Sequence, residues 1–477
     1  MAKLHNIILR GALLGAASLI SACASMAPDY DRPSAPVAST LPNASADVSS
    51  SLIAWRDVFT DPKLSALIQT ALDNNRDLRV AAFNVERARA QYRIQRADSL
   101  PSIGASGDYS RQRFGENAPA FGAAGAGGGQ GPFTIEQYGA SANVSAYELD
   151  LFGRVRSLNR QALETYFATE EAKRAAEISL VAEVATAYFR LAADRELLAI
   201  ARDTLESQQE SLELTRNLAD SGIGNDVDLE RVRVTIERAR ADAAALEAQV
   251  AQDENALQLL VGDGQSLPGL GDDTLGDISI ASDFTVGASS DVLLQRPDVL
   301  AAENRLKAAN ANIGAARAAF LPRIQLTASA GTASAELSDL FAPGTGVWQF
   351  APSVSLPIFT GGRNRAQLQG AKIDRDIAQA EYEGAIQSAF RETADALATR
   401  ATINDRLDAV ANLAAASDRT FELTSMRFEN GIDDYFAVLD AQRSNYAAQQ
   451  ELIAIELAKA VNTIQLFRAL GGGVNAQ

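Results

Sequence analysis

Tyr138-Gly139-Ala140-Ser141-Ala142-Asn143-Val144-Ser145-Ala146 alternates apolar with small polar residues, and eight residues later Arg154 opens a run of about 65 residues without a proline. Over that short distance the hydrophobic period changes from two, that of a strand, to three and four, that of a helix. Ile178, Val181, Val184, Tyr188 and Leu191 set the helical spacing, and Leu198, Leu205 and Leu212 continue it at sevens. At 1.5 Å per residue such a helix reaches roughly 95 Å. Beyond Gly222 the pattern resumes through Leu229, Val232, Ile236, Ala239, Ala243, Leu246, Val250, Leu257 and Leu260, broken only at Asp253. The spacing predicts a long antiparallel coiled-coil hairpin over 154–262.

The whole arrangement occurs twice. Phe152-Gly153-Arg154 matches Phe359-Thr360-Gly361-Gly362-Arg363, and at the same offset of 209 residues Glu183 meets Glu392, Gly222-Ile223 meets Gly431-Ile432 and Gly262 meets Gly471. Upstream, an offset of 221 pairs Asp77 with Asp298, Arg96 with Arg317 and Leu100-Pro101 with Leu321-Pro322. The two offsets differ because the first copy carries a Gly- and Ala-rich stretch at 115–131, which reads as a loop. A duplication of this kind governs every later inference about the fold. The second hairpin then spans 363–470, with Tyr446, Ile453, Ala460 and Phe467 at sevens.

Each copy also holds two alternating stretches, 102–114 and 135–151 in the first, 323–331 and 348–359 in the second. A dyad pattern of about ten residues is what a transmembrane β-strand shows, although a soluble half-buried sheet shows it too. Four strands cannot close a barrel, for which about eight is the minimum, so strands that enter a membrane would require several chains. The expected layout is a signal peptide at 1–22, a tether at 23–54, a first repeat at 55–262, a linker at 263–290, a second repeat at 291–472 and a tail at 473–477.

The N-terminus carries Lys3 and Arg10 ahead of a ten-residue apolar run ending in Ile20-Ser21-Ala22-Cys23. The run is half of a membrane span and reads as a secretory leader. Small residues before one cysteine resemble the bacterial lipobox, which implies that Cys23 becomes an acylated N-terminus, and Ala24 rather than Asp after it favours the outer membrane. Residues 24–51, rich in Pro, Ser and Ala, read as a tether without strand or helix period.

Composition excludes much else. The chain has 477 residues, 60 Asp+Glu against 43 Lys+Arg and a net charge of −17, which argues against nucleic acid as a partner. Its one histidine, His5, and one cysteine, Cys23, lie in or beside the leader, so the mature chain lacks the groups for His- or Cys-based catalysis, His/Cys metal sites and disulfides. A carboxylate-based periplasmic enzyme would need a pocket-forming domain for which no segment remains. No enzyme and no cofactor are expected, apart from covalent lipid on Cys23.

Leu293-Leu294-Gln295-Arg296-Pro297-Asp298-Val299, then Ala302-Glu303, Asn310-Ala311, Ile313-Gly314, Arg317-Ala318 and Phe320-Leu321-Pro322, resemble the outer-membrane efflux protein family, of which TolC is the best-known member. The lipobox places the chain nearest the lipoprotein branch serving RND-type (resistance-nodulation-division) pumps, including the NodT-like proteins. Arg427-Phe428-Glu429-Asn430-Gly431-Ile432 and Val438-Leu439-Asp440-Ala441-Gln442-Arg443 match that family's hairpin-tip signature, whereas Leu218-Ala219 departs from it in the first copy.

The resemblance implies a mixed α and β membrane protein: a homotrimer whose three sets of four strands form one twelve-stranded β-barrel, continuous with a periplasmic α-barrel of helical hairpins. It implies a passive exit duct, served by an inner-membrane RND transporter through a periplasmic adaptor, in the outer membrane of a Gram-negative bacterium. A type I protein-secretion channel and a non-conducting structural trimer are the alternatives. By the same resemblance Gly222, Ile223, Gly431 and Ile432 are tips that meet the adaptor. Asp440 would supply a carboxylate ring at the periplasmic gate, with Phe436 as an apolar constriction and Arg443 as a balancing donor. Glycine is also what any tight reversal between helices needs. Asp433 and Asp434 read as a solvated acidic pair, and Arg296-Pro297-Asp298 as a helix start. Surplus carboxylates on an inner wall would favour cations.

Overall fold

The duplication has a physical counterpart in the computed structural model of the chain, which describes residues 25–44, 54–115, 132–222, 226–263, 274–281, 287 and 289–472. The elements run α1 (Trp55–Val58), α2 (Pro62–Asn74), α3 (Arg76–Ala97), β1 (Ile103–Phe114), β2 (Phe133–Leu149), α4 (Arg154–Asp220) and α5 (Asp226–Val261). The second copy follows as α6 (Pro297–Ala318), β3 (Arg323–Ser334), β4 (Gly346–Ser355), α7 (Arg363–Glu429) and α8 (Tyr435–Ala469). Helices α4 and α7 each have 67 residues, and α3 and α6 each have 22.

The chain forms two compact units. One comprises the N-terminus to Arg32, Arg87–Phe167 and Asn304–Gln379; the other comprises Pro33–Glu86, Ala168–Glu303 and Ala380 to the C-terminus.

The first unit is built on an antiparallel sheet in the order β1-β2-β3-β4. Residues opposite one another in such a sheet share a face, so the register sorts the side chains. Ile103, Ala105, Gly107 and Tyr109 stand level with Val144, Ala142, Ala140 and Tyr138, and these with Ala328, Ala330, Thr332 and Ser334. Ile324, Leu326, Ala328 and Ala330 stand level in turn with Val354, Pro352, Phe350 and Trp348. The opposite face carries Ser106, Asp108, Ser141, Asn143, Gln325, Thr327, Ser329, Gln349 and Ser353. Over this stretch one face is mainly apolar and the other mainly polar; farther along β1 and β2 the first face carries the Arg111–Glu136 ion pair and the second carries Ile135, Phe133 and Phe114. Among the described residues neither face is covered: no strand residue is buried, Trp348 is 80% exposed, and Ile103, Phe350 and Val354 also lie open.

The strands depart from expectation at one point. The alternation would have carried the apolar series from Val144 to Ala146, but the register shifts between Val144 and Tyr147, with Ala146 in the left-handed region at φ 52°. This β-bulge moves Tyr147 and Leu149 onto the apolar face, opposite Leu326 and Ile324. The ends also move: the stretch expected over 348–359 runs Gly346–Ser355, and Leu356 to Phe359 lie beyond it.

The second unit is helical. Its core joins Val181, Val184, Tyr188 and Leu191 of α4 to Leu257 and Val261 of α5, to Ile464 and Phe467 of α8, and to Trp55, Phe59 and Leu64. Phe59 meets Phe467 edge to face at 5.4 Å. Each large side chain so buried contributes about 1.5–3 kcal/mol. Arg296, at the start of α6, is itself buried and ties this core to the chain's far end. It donates to Asp298 at 2.7 and 3.0 Å, to Glu392 at 3.0 Å and to the Ala469 carbonyl at 2.7 Å. Burial alone would raise the Asp298 carboxyl, but Arg296 overrides it and holds the group below the usual carboxylate range. The Arg-Pro-Asp motif is thus both a helix start and a structural clasp.

The segment read as a tether is docked at two places among its described residues. In the second unit Thr40 bridges Ser289 and Leu41 is buried. In the first unit residues 25–30 lie along α6. The signal-peptide region, Cys23, most of the 263–290 linker and the 473–477 tail fall outside the described residues.

Candidate functional site: the α5/α8 groove and the hairpin tips

Helix α8 begins where Asp434 caps it, its carboxylate accepting from the Ala437 amide at 3.1 Å. Ahead of the cap, Gly431 takes φ 70°, and the Gly431 and Ile432 amides return to the Phe428 and Arg427 carbonyls at 2.8 and 2.9 Å. A residue with a Cβ would be strained in that reversal. Asp433 is no free partner of Asp434, because Arg427 grips it through two hydrogen bonds of 2.7 and 2.8 Å. That hydrogen bond holds the Asp433 carboxyl below its ordinary range. The acidic pair of the sequence is thus one ion-paired residue and one helix cap. In the first copy Gly222 takes φ 75°, and its amide donates to the Ala219 carbonyl at 2.9 Å. Ile223 lies outside the described residues.

Beneath the second tip, Tyr435 and Val438 of α8 pack with Val232 and Ile236 of α5 in a small core of their own. Buried residues at 435 and 438 turn the intervening positions outward, so Phe436, Asp440 and Arg443 share the other face of α8. Arg443 donates to Asp440 at 2.6 Å, with both side chains more than half exposed. Phe436 is 57% exposed, and the Arg231 guanidinium of α5 stands over its ring at 5.4 Å.

These side chains line a groove of about 630 Å³ between α5 and α8. Val227, Val234, Phe436 and Leu439 form its apolar floor, and Glu230, Arg231, Asp440 and Arg443 supply charge around it. Behind it Gln208 of α4 hydrogen-bonds to Gln442, Thr235 donates to Gln208 at 3.2 Å, and Gln442 donates to Ser207 at 3.2 Å. This buried polar tie fixes which face of α8 the groove receives.

The structure thus brings together the three gate residues named from the sequence and adds Val227, Arg231 and Val234. The signal that could have found these was the duplication: at the repeat offset they are the counterparts of Phe436, Asp440 and Arg443. The two copies supply opposite walls of one groove, with an arginine where the other has a carboxylate. Nothing in the groove forms a catalytic constellation. Among the described residues no cluster of three His, Cys, Asp or Glu could hold a metal ion, and no helix is long and apolar enough to cross a membrane.

A family model described as outer membrane efflux protein matches residues 67–263 and 288–472, one match to each repeat. The toluene efflux pump outer membrane protein TtgC of Pseudomonas putida is 45% identical, over 99% of this chain and 96% of its own length. The crystal structure of a membrane protein from Pseudomonas aeruginosa superimposes with a TM-score of 0.88 at 42% identity, covering 94% of this chain and 98% of that one. The open state of the Neisseria gonorrhoeae MtrE outer membrane channel does so with a TM-score of 0.84 at 39% identity, covering 94% and 99%.

Proposed function

This chain belongs to the outer membrane efflux protein family, a family of channels and not of enzymes, and on that premise we propose that it is the outer-membrane exit duct of a tripartite efflux system. The observation that carries the reading is the four-stranded sheet, which over its central stretch is mainly apolar on one face and mainly polar on the other, with neither face covered among the described residues. Such a sheet needs lipid against one side and water against the other. Its edge strands β1 and β4 have backbone groups free to pair with a further strand. Three copies joined β4 to β1 close a twelve-stranded barrel and leave no edge. The helical hairpins are the periplasmic part, and acyl chains on Cys23 add an anchor in the outer membrane.

In this reading the duct is passive. An inner-membrane RND transporter drives substrate, and a periplasmic adaptor couples to the tips at Gly222, Ile223, Gly431 and Ile432. The α5/α8 groove sits at the mouth, where Phe436 narrows the path with an apolar side chain and Asp440, one per chain, sets a ring of carboxylates balanced by Arg443.

Deleting the gene tests the assignment. Sensitivity to apolar antibiotics and solvents should rise at least fourfold, and cysteines placed at Gly431 or Ile432 should cross-link in cells to a periplasmic adaptor. Unchanged drug sensitivity together with loss of a secreted protein would overturn efflux in favour of type I secretion.

A further inference from the structure

Where β3 turns into β4, the Ala333 amide donates to the Thr345 carbonyl at 2.9 Å. Backbone groups alternate sides along an antiparallel ladder, so Val347, Gln349, Ala351 and Ser353 turn theirs toward β3, while Trp348, Phe350, Pro352 and Val354 turn theirs outward. Carried through the β2–β3 and β1–β2 registers, the same alternation turns the backbones of Gly107, Tyr109, Arg111 and Arg113 outward from β1. Pro352 has no amide to offer, and it stands where a sheet tolerates proline, on an outer edge.

The repeat says which of these residues meet. Ile103 and Ile324 are counterparts at the offset of 221, each just after the matched Leu-Pro. Ile103 stands opposite Val144 and Ile324 opposite Val354, which makes Val144 and Val354 counterparts and pairs Tyr138 with Trp348. At the join between the two copies Val144 stands opposite Ala328, whose own counterpart is Gly107. A join that recurs from chain to chain as it does from copy to copy therefore sets Val354 against Gly107. This register puts outward backbone groups against outward ones and the mainly apolar face beside the mainly apolar face. A slip of one residue would lose both matches.

We infer that the seam between β4 and a second copy of the chain has one register: Val354 opposite the partner's Gly107, Pro352 opposite the partner's Tyr109, Phe350 opposite the partner's Arg111 and Trp348 opposite the partner's Arg113. The inference rests on the reading of the sheet as one third of a closed barrel. Phe350 and Trp348, 60% and 80% exposed in the single chain, each gain a guanidinium across the seam. Pro352 leaves one rung of each seam without an amide, and an edge so interrupted resists pairing with a wrong strand.

The test uses full-length protein in the outer membrane of a Gram-negative host. Ser353→Cys with Asp108→Cys sets two cysteines opposite one another at a site without backbone hydrogen bonds, where Cα atoms stand about 4.5 Å apart and a disulfide fits. Ser106→Cys or Ser110→Cys in place of Asp108→Cys puts the second cysteine on a diagonal of about 7–8 Å, beyond its reach. After mild oxidation, mass mapping separates these links from any through Cys23. Links between positions 353 and 108 should be at least about fivefold more abundant than either diagonal link and should join chains covalently in a denaturing gel. A diagonal link in greater yield overturns this register and leaves the closed barrel standing. Links between two copies of position 353, or no link in any variant, overturn the seam and the barrel reading with it. A second measurement needs no cysteine. Trp348→Leu and Arg113→Gln should each lower the temperature at which trimers dissociate in detergent, and the double variant should fall no further than the weaker single one. Fully additive losses overturn the contact between Trp348 and the partner's Arg113.

Discussion

Asp253 interrupts the apolar series of α5, yet the structure places it inside the buried stripe, 7% exposed, where the Gln249 amide donates to its Oδ1 at 3.0 Å. Across the hairpin it meets Asp194 of α4, whose carboxyl is pushed up to about 7 by burial and then by the hydrogen bond and charge of Asp253, against the pull of Arg190. An unfolded aspartate titrates near 3.9. Between about pH 4 and pH 7 the folded chain therefore keeps a proton that the unfolded chain has lost, so this pair's stabilising effect is complete at acid pH and is lost as pH rises through 7. Asp194→Asn should flatten that decline and raise stability at pH 7.5 by about 1 kcal/mol, discounted for partial exposure, with little change at pH 4. Thermal unfolding across the range measures it, and an unaltered pH profile would show that the two carboxyls do not share a proton. The break at Asp253 was legible in the sequence. Its partner was not, because spacings of three and four fix a helix's buried face but not its register against a second helix. The same gap hid the place of Arg231 opposite Phe436, and only the repeat offset, which pairs Arg231 with Asp440, could have singled it out among the arginines of α5.

At the scale of elements, the repeat made both hairpins and all four strands legible, since matched glycines, prolines and heptads fix order and direction. The bulge at Ser145 and Ala146 was invisible because small residues suit either face, so alternation alone could not register a slip of one residue. What holds β2 to β3 is equally local. A Cβ on Gly331 would collide with the Ala140 carbonyl and lie 2.6 Å from the Ser141 Cα. Gly331→Val should therefore break the central pairing and abolish heat-modifiable assembly in the outer membrane, at a cost of several kcal/mol spread over the adjoining ladder. Gly346→Val in β4, where a Cβ meets nothing within 4 Å, serves as the control and should assemble normally. Normal assembly of both would mean that the β2–β3 register is not what organises the sheet.

For the whole molecule, the central claim is that a sheet with one apolar face and two open edges is completed only by other copies, and that the completed pore is narrowed at Phe436 and Asp440. The most direct measurement is single-channel conductance of the purified full-length protein in a planar bilayer. The account predicts discrete, cation-preferring steps for the wild type and at least a twofold larger conductance for Phe436→Ala with Asp440→Ala, with Asp440→Asn alone weakening the cation preference. Folded, membrane-inserted protein that conducts in none of these forms would contradict it.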